Sequence, residues 1–107
     1  AKLQIMMQYI HDNYSGQISL DDIARTVLIS KSSVLNIFRT YLHTSPINYV
    51  VEYRLKRASK LLVDTENSVC AIAHETGFEN IGYFCRRFKK LYGVTPIYYR
   101  NHCHSAE

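Results

Sequence analysis

The stretch Ser19-Leu20-Asp21-Asp22-Ile23-Ala24 is the first half of a repeat, because a similar pattern returns 49 residues later as Ser68-Val69-Cys70-Ala71-Ile72-Ala73. In both stretches a serine precedes a short apolar-periodic segment, which is the pattern of a helix that begins behind an N-cap. The repeat continues downstream at an offset of 50, where Ser30, Val34, Phe38 and Pro46 match Asn80, Phe84, Phe88 and Pro96. A sequence that repeats itself in this way indicates two copies of one small structural unit.

Helical periodicity extends over almost the entire chain. Apolar residues recur at steps of three and four from residue 2 to residue 14, which predicts a first helix there. Further helices are predicted to begin at polar caps, two of them followed by a proline that suits the first helical position: Ser19, Ser30, Ser45-Pro46, Ser68, Asn80 and Thr95-Pro96. The stretch from Pro46 to about residue 63 reads as one long helix, and no stretch reads convincingly as a strand. We therefore predict an all-α fold of seven helices.

Each copy of the repeat has the layout of a helix-turn-helix, a motif whose second helix can lie in a DNA major groove. The predicted organisation has three parts and a tail. These are residues 1–45 (an N-terminal helix and a first helix-turn-helix at about 19–42), the linker helix 46–63, residues 64–101 (a second helix-turn-helix at about 68–92 and a C-terminal helix), and the frayed tail 102–107.

Length and composition exclude several classes of protein. A chain of 107 residues that is 47% hydrophobic can fold as one compact domain or as two very small ones. It has no apolar run of the roughly 18 residues that a membrane span needs, and no secretory signal at its start. The odd number of cysteines, three at wide spacing, argues against a disulfide framework and for a cytoplasmic location.

Positive charge is concentrated in the second half of the chain. The formal net charge is +4, and residues 1–53 carry four basic and four acidic side chains, so the excess lies in residues 54–107. Residues 19–42 have a net charge of +1 and residues 68–92 of +2. If the partner is acidic, we expect the second copy to supply more of the salt-dependent affinity.

The second helix of each copy has two distinct faces at about 100° per residue. In the first copy Val34, Ile37, Phe38 and Tyr41 are predicted to point inward, and Ser32, Leu35, Asn36 and Arg39 outward. In the second copy Phe84, Phe88 and Leu91 are predicted to point inward, and Gly82, Cys85, Arg86 and Lys89 outward. Small residues early in a helix and Arg or Lys later suit close approach to base edges and contact with phosphates. A plain helical bundle with solvated faces is the alternative for either helix alone.

The stretch from Ile72 to Arg100 closely resembles the DNA-binding domain of the AraC/XylS family of bacterial transcription regulators. The resemblance rests on Ile72-Ala73, Gly77-Phe78, Tyr83-Phe84 ahead of Arg86, Phe88-Lys89-Lys90, Gly93-Val94-Thr95-Pro96 and Tyr99-Arg100. Upstream, Tyr53-Arg54-Leu55 with Ala58 and Leu61-Leu62 resembles the family's linker helix. The resemblance covers about residues 3–101 and implies two homeodomain-like helix-turn-helix subdomains joined by a long, rigid linker helix.

The resemblance also implies which residues contact double-stranded DNA in two successive major grooves. The base contacts carried over by position are Lys31, Ser32, Leu35 and Asn36 in the first copy, and Ile81, Gly82, Cys85 and Arg86 in the second. We expect phosphate contacts from helix N-termini and basic side chains, namely Ser19, Ser30, Arg39, Ser68, Asn80, Lys89 and Lys90. Because Ile81 and Gly82 offer little hydrogen bonding, Arg86 is the predicted base reader of the second copy.

The expected partners are double-stranded DNA, RNA polymerase and an effector or receiver domain that precedes this chain in the whole regulator. No cofactor, metal site or catalytic group is predicted, since His102-Cys103-His104 lacks the spacing of a tetrahedral site. Two other functions stay open. One is a helical protein-interaction module that does not bind DNA, and the other is alkyl transfer to the Cys85 thiol, beside Arg86 and Arg87.

Overall fold

The computed structural model describes residues 1–102, which form seven helices and no strand. The helices are α1 (Lys2–Asn13), α2 (Leu20–Arg25), α3 (Lys31–Leu42), α4 (Pro46–Asp64), α5 (Val69–Glu75), α6 (Ile81–Tyr92) and α7 (Pro96–His102). The predicted all-α fold of seven helices is therefore confirmed. His102, which we expected to begin a frayed tail, is instead the last residue of α7, while the rest of that tail, 103–107, lies outside the described residues. None of the seven helices is long and apolar enough to cross a membrane.

The predicted caps begin the helices as expected. Ser19 and Asp22 form a capping box, in which the Asp22 N–H donates to Ser19 Oγ (3.1 Å) and the Ser19 N–H donates to the Asp22 carboxylate (2.9 Å). Ser30, Ser68 and Asn80 each accept a hydrogen bond from a backbone N–H three residues later, at 3.1, 3.0 and 2.8 Å. The side chains of Ser45 and Thr95 accept in the same way ahead of the two prolines. Each bond satisfies an N–H that the helix itself leaves without a partner.

The chain divides into two compact units that meet inside α4, between Tyr53 and Arg54. The first unit contains α1, α2, α3 and the beginning of α4. Its buried core consists of aliphatic side chains and one phenylalanine from all four elements: Met6, Ile10, Ile23, Ala24, Val34, Phe38 and Val50. The division of the chain into residues 1–45, a linker helix 46–63 and residues 64–101 stays a prediction.

The second unit contains the rest of α4 together with α5, α6 and α7, and its interior combines aliphatic side chains with three phenylalanine rings. Its buried hydrophobic residues are Leu55, Ala58, Leu62, Ile72, Ala73, Phe78, Phe84 and Phe88. Phe84 lies edge-on to Phe78 with ring centroids 5.0 Å apart, and Phe88 contacts the ring of Tyr92 at 4.6 Å. The Tyr92 hydroxyl donates to Ser59 Oγ on α4 (3.1 Å), and burial raises the pKa of Tyr92.

Two predicted core residues are exposed, so that part of the prediction was wrong. Tyr41 is 68% exposed and Leu91 is 41% exposed, although both were expected to point inward. The buried side of α3 follows steps of four residues, from Val34 through Phe38 to the partly buried Leu42, and that of α6 runs likewise through Phe84, Phe88 and Tyr92. Tyr41 comes three positions after Phe38, and Leu91 comes three positions after Phe88. Each lies about 100° around the helix from the next residue, Leu42 or Tyr92, which belongs to the buried row, and so each lies outside that row.

Tight left-handed turns follow corresponding helices of the two units. The turn after α2 contains Leu28 at φ 56°, whereas the turn after α5 contains Gly77 at φ 102°. The caps of α3 and α6 show the same contrast, with His43 at φ 56° and Gly93 at φ 81°. Because a Cβ atom disfavours positive φ, the second unit adopts these turns without the strain that Leu28 and His43 carry in the first.

Candidate nucleic-acid interface

The outer face of α3 is set by the burial of its opposite side. Val34 and Phe38 are fully buried, which turns Ser32, Leu35 and Asn36 to the solvent. Leu35 is 41% exposed. The hydroxyl, the isobutyl group and the amide thus lie on one exposed surface that begins directly after the Ser30 cap.

Lys31, at the first position of α3, is held toward α2. Its ammonium nitrogen lies 3.5 Å from the Asp21 carboxylate, and more than half of each side chain is exposed. An ion pair this exposed contributes only about 0–1 kcal/mol, so a phosphate or a base edge can displace Asp21. Asp22 follows Asp21 in the first turn of α2. Hydrogen bonds from the backbone and side chain of Ser19 hold the pKa of Asp22 below its ordinary value, and the charge of Arg25 adds to the effect.

Asn36 and Arg39 interact directly on the outer face of α3. One guanidinium N–H of Arg39 donates to Asn36 Oδ1 at 2.8 Å, and both residues are exposed. Sequence reasoning assigned the first to base contact and the second to phosphate contact, and it missed their pairing. The spacing of three residues on a helix was the available signal.

The outer face of α6 is built in the same way. Asn80 caps the helix, and the buried Phe84 and Phe88 occupy its inner side. The predicted base-contact residues then lie on exposed or half-buried positions, with Ile81 (42% exposed) and Arg86 exposed, and Gly82 and Cys85 half-buried. Apart from Arg86, this face offers a base edge small or apolar side chains.

Gly82 makes room for the guanidinium of Arg86 one turn later. A Cβ atom at Gly82 would lie 3.4 Å from Arg86 Nη1 and 3.2 Å from Asn80 Oδ1, closer than most real Cβ contacts. Any larger residue at position 82 would therefore push against both the cap and the arginine. The glycine thus leaves room for the arginine head beside the first turn of α6.

Tyr83 has no predicted contact role, although it belongs to the stretch that carries the family resemblance. Its hydroxyl accepts a 2.8 Å hydrogen bond from Arg87, whose guanidinium carbon lies 5.7 Å from the centre of the Tyr83 ring. The tyrosine and arginine are four residues apart on a helix, a spacing that brings side chains together and could have indicated the pair.

The predicted phosphate contacts fall into two groups. Arg39, Lys89 and Lys90 are exposed basic residues on α3 and α6. In the second group the side-chain oxygens of Ser19, Ser30, Ser68 and Asn80 already accept the capping hydrogen bonds. The Ser30 hydroxyl donates to Ser33 Oγ (3.0 Å) and the Ser19 hydroxyl interacts with the Asp22 carboxylate, so a phosphate would have to displace these two contacts.

The two described cysteines differ in accessibility. Cys70, which aligns with Asp21 in the repeat, is exposed, and Cys85 is half-buried. Within residues 1–102, no three His, Cys, Asp or Glu side chains are grouped as metal ligands. The His102-Cys103-His104 tract cannot be followed further, since Cys103 and His104 lie outside the described residues.

Two capped, outward-facing helices, each the second helix of a helix-turn-helix, define the class of a helix-turn-helix DNA-binding domain. Comparison with known proteins agrees. Residues 23–102 match a family model described as "Helix-turn-helix domain". The regulatory protein RafR of the raffinose operon of Pediococcus pentosaceus is 30% identical over 99 residues, 92% of this chain and 36% of that protein.

Solved structures are similar over almost the entire chain. An AraC-type transcriptional regulator from Chromobacterium violaceum has a TM-score of 0.88 and 30% identity, covering 96% of this chain and 95% of that one. The C-terminal domain of AraT, a response regulator from Geobacillus stearothermophilus, also has a TM-score of 0.88, with 28% identity and coverages of 99% and 88%. This chain belongs to the AraC-type helix-turn-helix family, and it is the DNA-binding domain of a transcription regulator. It spans 34–36% of the length of the first curated relatives that it matches.

Proposed function

We propose that this domain binds a specific double-stranded DNA sequence, with the outer faces of α3 and α6 as its reading surfaces. The observation that carries the proposal is the match between these faces. In each unit two buried side chains four residues apart, Val34 with Phe38 and Phe84 with Phe88, leave a capped, exposed face that begins with small or short residues and ends with basic ones. A helix with this arrangement can approach base edges closely at its beginning and contact phosphates further on.

The base readers in this proposal differ between the two units. Ser32 and Asn36 supply hydrogen bonds from α3, Lys31 joins them once Asp21 releases it, and Leu35 contacts a thymine methyl group. On α6, Arg86 is the main reader and pairs with the O6 and N7 atoms of guanine. Ile81, Gly82 and Cys85 permit close approach and apolar contact rather than hydrogen bonding.

Phosphate contacts fix the orientation of the domain on DNA in this proposal. Lys89 and Lys90 are exposed cations in the last turn of α6. The first backbone N–H groups of α3 and α6, which follow the caps Ser30 and Asn80, are proposed to donate to phosphate oxygens. Ser19 and Ser68, at the beginning of the shorter α2 and α5, are proposed to donate further hydrogen bonds to the backbone of the duplex.

The whole regulator is proposed to contain an effector or receiver domain besides this chain and to contact RNA polymerase as an activator. The short coverage of the curated relatives supports the first point, and AraT, whose C-terminal domain is similar to this chain, is a response regulator.

The proposed function implies a location in the bacterial cytoplasm, where the DNA is. Regulation by DNA binding requires no catalysis by Cys85. Failure of the full chain to acquire a labelled alkyl group from an alkylated duplex would support this non-enzymatic role.

The proposal is tested by selecting bound sites from a random duplex library and titrating the recovered site with salt. We expect two conserved blocks of bases, and an affinity that falls linearly with log salt concentration. A scrambled duplex of equal length is the control, and it should bind at least about a thousandfold more weakly. No enrichment, together with no salt-dependent binding, would favour the protein-interaction module instead.

The prediction that α3 and α6 enter successive major grooves has its own test. Inserting about five base pairs between the two conserved blocks rotates one block half a helical turn away from the other. We expect affinity to fall to the level of a single block, and an insertion of about ten base pairs to restore part of it. Equal affinity for all three duplexes would contradict the prediction that α3 and α6 contact two blocks of bases at a fixed spacing.

A further inference from the structure

Arg39 contacts the oxygen of the Asn36 amide. Its guanidinium nitrogen lies 2.8 Å from Asn36 Oδ1 across one turn of α3. Since a guanidinium group has only donors, the amide atom that faces it has to be the oxygen. The amide nitrogen of Asn36, with its two protons, is therefore the atom left to meet a base.

We propose that Arg39 is a positioning residue that sets the base preference of Asn36, so that the first unit prefers guanine at the base pair that Asn36 contacts. This inference rests on the proposed function, in which α3 reads base edges. It assigns Arg39 a role in specificity in place of the phosphate contact that its charge alone suggested.

The preference follows from the hydrogen-bonding pattern of the major groove. An unrestrained asparagine pairs with adenine, because its oxygen accepts from N6 while its nitrogen donates to N7. Arg39 takes one of the two lone pairs of the oxygen and keeps that atom on its own side, so the amide directs its N–H groups to the base, and the remaining N–H groups of the guanidinium add more donors beside it. Guanine offers two adjacent acceptors, O6 and N7, whereas adenine offers an acceptor beside a donor and cytosine offers a donor. The pair Asn36–Arg39 therefore matches guanine best.

The second unit supplies an internal control. At an offset of 50, Arg86 corresponds to Asn36 and Lys89 corresponds to Arg39. Neither Arg86 nor Lys89 has a side-chain acceptor, so no hydrogen bond can join them. Lys89 can act on DNA by its charge, without determining the orientation of the neighbouring reader.

The experiment is selection from a random duplex library with the full chain and three variants, Arg39→Ala, Arg39→Lys and Lys89→Ala. A fourth variant, Asn36→Ala, identifies the base pair in question as the one whose preference it abolishes. We expect the unaltered chain to prefer guanine over adenine there by about tenfold. Arg39→Ala should shift the preference toward adenine, and Arg39→Lys should retain guanine, because an ammonium group also only donates. Lys89→Ala should leave every base preference unchanged and lower the salt slope by about one unit.

The results that overturn the inference are distinct from those that overturn the proposed function. If Arg39→Ala binds all sequences more weakly, with a lower salt slope and an unchanged guanine preference, Arg39 is a phosphate contact and the inference fails. An adenine preference in the unaltered chain would overturn it as well. If instead the unaltered chain selects no sequence, the proposed function fails and this inference falls with it. Circular dichroism of each variant establishes that these exposed substitutions leave the helices intact.

Discussion

The Nε atom of Arg100, in α7, donates a 2.8 Å hydrogen bond to the backbone carbonyl oxygen of Leu62, near the end of α4. The same guanidinium also donates to the carbonyls of Thr65 and Asn67, at 3.2 and 2.6 Å. The last carbonyls of a helix have no partner within it, and here a side chain 38 residues away supplies one. Arg100 thereby fixes the path of the chain from α4 into α5 within the second unit.

Replacing Arg100 with Met should lower the free energy of unfolding by about 1–3 kcal/mol, because three carbonyls lose a charged donor while the length of the side chain is kept. Urea denaturation followed by circular dichroism measures the change. Arg100→Lys is the matched control, and it should recover only part of the loss because an ammonium group cannot reproduce the planar fork. An unchanged urea midpoint for Arg100→Met would show that water replaces the guanidinium at no cost.

Leu28 combines a left-handed backbone with a side chain that is 90% exposed. Leu28→Gly should therefore stabilise the chain by about 0.5–1 kcal/mol, since the relief of strain outweighs the added flexibility of glycine in the unfolded state. Leu28→Ala removes the side chain and keeps the strain, so it should change stability by less than about 0.5 kcal/mol. Thermal unfolding of the three proteins compares them, and an equal gain for alanine and glycine would assign the effect to the exposed side chain instead.

Arg86 and Lys90 should respond differently to truncation. Arg86→Ala should cost about 1–3 kcal/mol of binding to the selected site and relax the base preference at one base pair, because it removes a bidentate contact to guanine. Lys90→Ala should weaken binding to all duplexes alike and lower the salt slope by about one unit. Fluorescence anisotropy at several salt concentrations separates the two effects, and equal affinity of the unaltered chain and Arg86→Ala for that site would contradict the role of Arg86.

The Asp22 carboxylate makes the stability of the first unit depend on pH. Its pKa is lowered in the folded chain by the hydrogen bonds from Ser19. Its contribution is therefore fully present above the unfolded value of 3.8 and is lost as the pH falls through the lower folded value. Asp22→Asn keeps the shape of the capping box and removes the charge. The melting temperature of the unaltered chain should exceed that of the variant at neutral pH, and the difference should shrink below pH 3.8; a constant difference from pH 7 to pH 2 would contradict this role.

Much of the fold could be predicted because its signals are local. A cap such as Ser19 or Asn80 acts on an N–H three residues away, and the sequence contains both partners within one turn. The duplication likewise is visible as a fixed offset between similar stretches. The candidate site was predictable to the same extent, since the buried Phe38 and Phe88 fix which side of α3 and α6 faces outward.

Other features depended on elements distant in sequence or on the choice of side-chain rotamer. Tyr41 and Leu91 have the spacing of core residues, but the row that is buried on each helix advances by four residues and leaves them exposed. The pairing of Asn36 with Arg39, and of Tyr83 with Arg87, is compatible with the sequence without being required by it. Helical spacing allows each contact and several alternatives at similar energy.

The seven helices, their caps and the outward faces of α3 and α6 follow from the amino-acid sequence, because hydrogen bonds and apolar periodicity within a few residues suffice for them. The duplication is visible in the sequence as well. The contacts of Arg100 with the end of α4 and of Tyr92 with Ser59 could be read only from the folded chain, because each joins residues more than 30 positions apart. The contact of Arg39 with Asn36 is local, and it is one side-chain arrangement among several that the helix allows.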